Sequence, residues 1–67
     1  MNSNIIEGQW DQIKGKAQKK WGKLTDDTLS VVKGNRKILS GKIQESYGLT
    51  QDEADKQIRE WEDSITG

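Results

Sequence analysis

The sequence predicts an all-α fold, a small four-helix bundle built from two related helical hairpins. Three observations predict it. Apolar residues recur every three or four positions along the chain, the period of a helix face. Proline is absent, so nothing in the chain forbids helix continuation. Six of the seven glycines fall into two triplets, Gly8, Gly15, Gly22 and Gly34, Gly41, Gly48, with a spacing of seven inside each and an offset of 26 between them.

The elements follow in order. Ile6, Trp10, Ile13, Ala17, Trp21 and Leu24 step by four and three, which places them on one face of a first helix, with Gly22 as its stop. Thr25, Asp26 and Asp27 offer acceptors and negative charge for a new N-terminus. A short second helix with Leu29, Val31 and Val32 should end near Gly34. The third carries Leu39, Ile43 and Tyr47 in steps of four and stops at Gly48. Thr50 and Glu53 then have the spacing of a capping box, with Leu49 and Ala54 placed as a hydrophobic staple. The fourth helix presents Ala54, Ile58, Trp61 and Ile65.

The glycine triplets mark an internal repeat. Ile13-Lys14-Gly15-Lys16-Ala17-Gln18 aligns with Leu39-Ser40-Gly41-Lys42-Ile43-Gln44, and Trp21-Gly22 with Tyr47-Gly48. After a skip of Lys23, Leu24-Thr25-Asp26-Asp27 aligns with Leu49-Thr50-Gln51-Asp52. Each copy reads as a long helix, a glycine stop, a Leu-Thr cap and a shorter helix, and neither copy could bury its apolar face alone. Gly15 and Gly41 stand out, because each lies roughly 160° from the apolar stripe and a mid-helix glycine costs about 1 kcal/mol against alanine. Close helix approach on a second face accounts for them best, at Gly41 above all, where Ile38 shares that side. A bare backbone surface for a partner is the second account, and useful weakness of the helices the third.

Composition bounds the function. A chain of 67 residues holds a single domain, residues 1–67. Hydrophobic residues make up 30% and charged residues 33%, so the three tryptophans must supply much of the core. With no cysteine and no histidine, disulfides, Cys/His metal sites and Ser-His or Cys-His pairs are excluded. Asp26/Asp27 and Asp52/Glu53 are paired carboxylates, but their place after Thr25 and Thr50 assigns them to helix caps rather than acid/base work. Gly15-Lys16 and Gly41-Lys42 lack the strand-loop-helix context and the spacing of a phosphate loop. The expectation is a non-enzyme without cofactor or metal.

No segment approaches 18 apolar residues, and Met1-Asn2-Ser3-Asn4 lacks the features of a secretory signal, so the reading is cytoplasmic. Lysines flank Trp10 and Trp21 as in interfacial helices, but the core needs the same tryptophans, which argues against a membrane.

Charge is segregated. Residues 1–44 hold nine Lys/Arg against four Asp/Glu, and residues 45–67 hold two against seven, so the segments carry +5 and −5 and the chain sums to zero. Mutual neutralisation on folding is the simpler expectation. The sharper one is a face for an anionic partner built from Lys16, Lys19, Lys20 and Lys23 on one flank of the first helix, with Lys42 repeating the Lys16 position. Weak contact with nucleic-acid phosphates would use those lysines, although a net charge of zero argues against a dedicated nucleic-acid domain.

Trp21-Gly22-Lys23-Leu24-Thr25-Asp26-Asp27 and Gly41-Lys42-Ile43-Gln44-Glu45-Ser46-Tyr47-Gly48 resemble the hallmark segments of the CsbD-like family, in particular its YjbJ branch. Trp10, Lys14-Gly15-Lys16, Gly34, Ala54, Ile58 and Trp61 fit as well, so the resemblance runs from about Gly8 to Trp61. Ser46 stands where a basic residue is usual, and Thr28-Leu29-Ser30 is less acidic than is typical. The resemblance implies a compact helical bundle and a general stress response, and it brings no catalytic or ligand residue. The combined expectation is a monomeric, non-enzymatic, stress-associated protein acting by binding or by abundance, with an unknown protein partner. A weak nucleic-acid-binding helical module is the alternative.

Overall fold

The computed structural model describes residues 8–66, and Ile6, the first residue of the expected stripe, lies outside them. These residues form four α-helices: α1 (Trp10–Lys20), α2 (Asp26–Val32), α3 (Arg36–Tyr47) and α4 (Gln51–Thr66). There is no strand among them. The most extensive contact joins α3 to α4, while α2 packs against both α1 and α3.

The apolar periodicity is what builds the core. Trp10, Ile13 and Ala17 from α1, Leu29 and Val32 from α2, Leu39 and Ile43 from α3, and Ala54, Ile58 and Trp61 from α4 form one buried cluster. Trp21 and Leu24 join it from the turn after α1, and Tyr47, Leu49 and Ile65 pack on its rim. The three tryptophans are buried, and the indole N–H groups of Trp10 and Trp21 are hydrogen-bonded. Trp10 Nε1 donates to the Leu29 carbonyl at 2.7 Å, pinning α1 to α2. Trp21 Nε1 donates to Gln57 Oε1 at 2.9 Å, and its ring meets Trp61 edge-on with centroids 5.1 Å apart. These contacts fasten the end of α1 to α4. The second helix departs from expectation at Val31, which is 60% exposed while Leu29 and Val32 are buried.

Helix boundaries are set by side-chain caps and by burial. Thr25 Oγ1 accepts the Thr28 N–H at 3.1 Å and starts α2. Asn35 Oδ1 accepts the N–H groups of Lys37 and Ile38 and starts α3. At α4 the capping box is complete: Thr50 Oγ1 accepts the Glu53 N–H at 3.2 Å, and Glu53 Oε1 accepts the Thr50 N–H at 3.0 Å. Gly48 closes α3 at φ 67°, its N–H donating to the Gln44 carbonyl at 2.9 Å. Lys33 closes α2 at φ 53°, an uncommon conformation for a residue with a Cβ.

Two expectations about glycine are corrected. Gly22 is not the left-handed stop of α1, since the positive-φ glycines are Gly34 and Gly48. The helix ends because Trp21 swings out of it, at φ −120° and ψ 80°, to bury its ring against Trp61. Leu24 therefore reaches the core from a turn rather than from the helix face. The close-packing account of Gly15 and Gly41 also fails. A Cβ built on either would meet no atom of the described residues within 4 Å. The residue that suggested packing, Ile38, is itself 39% exposed, and Gly41 is half-buried with open space where its Cβ would stand.

Candidate anionic-partner face

Helix α1 turns its core stripe inward and leaves the other side to lysine. At about 100° per residue, Lys16, Lys19 and Lys20 span roughly 100° of the helix surface. All three are exposed. Lys19 and Lys20 also occupy the last turn, where positive charge suits the helix dipole. Local helix geometry is therefore enough to gather these three.

The other two predicted residues are placed differently. Lys23 follows α1 in the turn, and its backbone N–H donates to the Tyr47 hydroxyl at 3.0 Å. Its ammonium lies 5.0 Å from the centroid of the Tyr47 ring, a cation–π contact that ties this lysine to the end of α3. Lys42 is half-buried on α3, a helix that packs chiefly against α2 and α4. The repeat alignment pairs Lys42 with Lys16, yet their surroundings differ, because Lys16 is exposed. The face thus consists of Lys16, Lys19 and Lys20, with Lys23 at its edge.

The segregated charges meet little. Among the described residues the ion pairs are Lys14 Nζ–Asp26 Oδ1 at 3.2 Å and Arg36 Nε–Glu62 Oε2 at 3.1 Å. Lys14 also donates to Ser30 Oγ at 3.1 Å, so it staples α1 to α2 on the flank away from Lys16. Among the described residues, Arg36–Glu62 is the salt bridge that joins the basic segment to the acidic one.

Two carboxyl groups depart from ordinary acidity, in opposite directions. The Thr50 backbone N–H and then its hydroxyl stabilise the charged form of Glu53 and hold its pKa below the usual value. That direction suits a cap and opposes a proton donor near neutrality. Burial raises the pKa of Glu62, and Arg36 pulls it partly back. Sequence reasoning missed Glu62. It follows Ile58 by four and so lies on the α4 apolar stripe, with 1% of its surface exposed.

Among the described residues no group of three acidic, histidine or cysteine side chains converges as metal ligands do. No described helix is long and apolar enough to cross a membrane.

The chain matches known proteins closely. The sequence pattern described as CsbD-like fits residues 4–56. A UPF0337 protein of Xanthomonas axonopodis pv. citri (strain 306) is 54% identical over 65 residues, covering 97% of this chain and 94% of that protein. A UPF0337 protein of Pectobacterium atrosepticum is 51% identical, covering 94% and 91%. The UPF0337 protein YjbJ of Escherichia coli (strain K12) is 48% identical, covering 92% and 90%. No solved structure matches the chain.

Proposed function

The chain belongs to the CsbD-like family, and from that premise we propose that it is a cytoplasmic, non-enzymatic, stress-associated protein that acts through its surface or its abundance. The observation that carries the reading is how the polar groups are spent. The carboxylates best placed by sequence for acid/base chemistry stand in the first turns of α2 and α4, and Glu53 is locked into a capping box. The indole N–H groups of Trp10 and Trp21 are committed to structural hydrogen bonds. The cations that α1 leaves to solvent are Lys16, Lys19 and Lys20, beside the exposed Asp11, Gln12 and Gln18. The protein acts as a monomer, and its two glycine-marked segments are copies of one unit.

The same lysines support a second reading, weak contact with nucleic-acid phosphates. Retention on immobilised duplex DNA at low ionic strength separates the two. Backbone contact requires retention that falls steeply as salt rises and is lost in a Lys16→Glu/Lys19→Glu variant. A protein acting on other partners passes through unretained. The first reading requires no specific DNA binding at physiological salt, and nanomolar sequence-specific binding would overturn it. Capture of partners from stressed cells, compared between the parent chain and the same variant, tests whether the lysine face is the surface used.

A further inference from the structure

A second polar surface lies away from the lysine face. A groove of about 520 Å³ runs between α3 and α4. Helical spacing builds its walls. Arg36, Ser40 and Gln44 follow one another at intervals of four on α3, as do Gln51, Asp55 and Arg59 on α4, so each set forms one row facing the gap. Lys37 adds a third cation, and the buried Ile58 lies in the floor. The Arg36–Glu62 pair shows that the start of α3 meets the end of α4. Arg36, Lys37 and Arg59 are therefore gathered at one end of the groove.

Arg36 is prepared for a ligand. Its Nε lies 3.1 Å from the Glu62 carboxylate, which is 1% exposed, so a buried negative charge holds the guanidinium at this end of the groove. That contact is an ion pair in which Arg36 Nε makes no hydrogen bond among the described residues, and a guanidinium carries further N–H donors on its terminal nitrogens to offer an acceptor. Ser40 is 4% exposed, and its Oγ accepts from Gln44 Nε2 at 3.2 Å, which leaves its hydroxyl proton to be donated. Arg59 and Lys37 are exposed at the rim. Asp55, half-buried in the wall, is the acidic group of the groove.

We propose that this groove binds a small multivalent oxyanion, a phosphate- or carboxylate-bearing molecule, held by Arg36, Lys37 and Arg59 with the Ser40 hydroxyl as donor. Asp55 disfavours ligands that are anionic throughout and accepts from a hydroxyl group where the ligand has one. The inference stands apart from the lysine face of α1 and does not need it.

The test is a titration of the full-length, ¹⁵N-labelled protein with inorganic pyrophosphate and, separately, with citrate, at constant ionic strength. Saturable shifts are expected at the Arg36 side-chain Nε–H and at the Ser40 and Arg59 amides, with one dissociation constant fitting all three. The more tightly bound probe identifies the ligand chemistry as phosphate or carboxylate. Lys37→Gln/Arg59→Gln should weaken binding about tenfold, because it removes two charges from exposed positions without touching the Arg36–Glu62 pair. Arg59→Gln alone is the reserve variant should the double variant fold poorly, with a loss of about threefold expected. Asp55→Asn should tighten pyrophosphate binding, and Lys16→Gln/Lys19→Gln should leave it unchanged. Shifts that never saturate for either probe, shifts that concentrate on α1, or an affinity indifferent to Arg59 would each overturn the proposal.

Discussion

Gly15→Ala and Gly41→Ala should both stabilise the protein, and Gly48→Ala should destabilise it. All three sites are open, because an added Cβ would meet no atom of the described residues within 4 Å at any of them. Space therefore cannot distinguish them, and backbone conformation must. Gly15 and Gly41 lie inside α1 and α3, where alanine is preferred by about 1 kcal/mol and narrows the unfolded ensemble. Gly48 has φ 67°, where a Cβ costs roughly 1–2 kcal/mol. In a domain of this size 1 kcal/mol moves the melting temperature by about 4–8 °C. Each helical substitution should raise it by several degrees, and the double variant should gain about the sum, since the sites lie on different helices. Gly48→Ala should lower it by a similar amount. Thermal melts followed by far-UV circular dichroism measure all four proteins. A fall in melting temperature for Gly41→Ala would refute the open-site reasoning and restore close packing on that face.

The remaining expectations concern the core, the caps and two carboxyl groups. Trp61→Ala should cost roughly 3–5 kcal/mol, enough to unfold so small a domain, because it removes the ring that Trp21 packs against; an unchanged melting temperature would contradict the buried pair. Thr50→Ala should cost about 1 kcal/mol through loss of the α4 cap, read by chemical denaturation. Lys33→Gly should stabilise by up to about 1 kcal/mol by relieving the left-handed conformation at the end of α2, and a destabilised variant would show that the lysine side chain matters more than its backbone. Glu53 has a lowered folded-state pKa, so its stabilising effect is present above its unfolded value and disappears as pH falls through the folded one. Glu62 has a raised folded-state pKa, so its effect is full below the unfolded value and is lost as pH rises through the folded one. Glu62→Gln should remove the second dependence and leave the first, and denaturation midpoints that keep both slopes would contradict the assignment.

The parts of the fold that local chemistry decides were legible in the sequence. The stripes Leu39–Ile43 and Ala54–Ile58–Trp61 became core because a period near 3.6 admits one inward face. The box between Thr50 and Glu53 formed because both partners lie within one turn. The end of α1 was misread because a distant residue decides it. Gly22 stands directly after the C-cap Trp21, as a stop should, but it has no left-handed conformation, and burial of Trp21 against Trp61 and Gln57 ends the helix instead. Asn35 offered a signal that was overlooked, since asparagine after Gly34 is among the best helix caps. Glu62 offered only a contrary one. Its position on the apolar stripe argued for burial and its charge argued against, and its partner Arg36 lies in another helix.

The candidate face follows the same division. Lys16, Lys19 and Lys20 could be grouped from helical spacing alone, whereas the contact of Lys23 with Tyr47 and the half-burial of Lys42 depend on how α3 is seated. Net charge alone does not describe how the charges are distributed. A sum of zero argues against a dedicated nucleic-acid domain, while mutual neutralisation of the two segments is a separate expectation, and among the described residues Arg36–Glu62 is the salt bridge that joins them. Helices α1 and α4 both turn their apolar stripes to one core, and their charged residues, Glu62 excepted, lie on the outside of it. The molecule measures 27 × 23 × 18 Å, while screening at physiological salt acts over about 8 Å. Charges on separate faces of such a body are largely hidden from one another. An anionic partner would respond to the charge of the face it meets, so binding compared between the parent chain and Lys16→Glu/Lys19→Glu tests the α1 face more directly than the sum over the chain does.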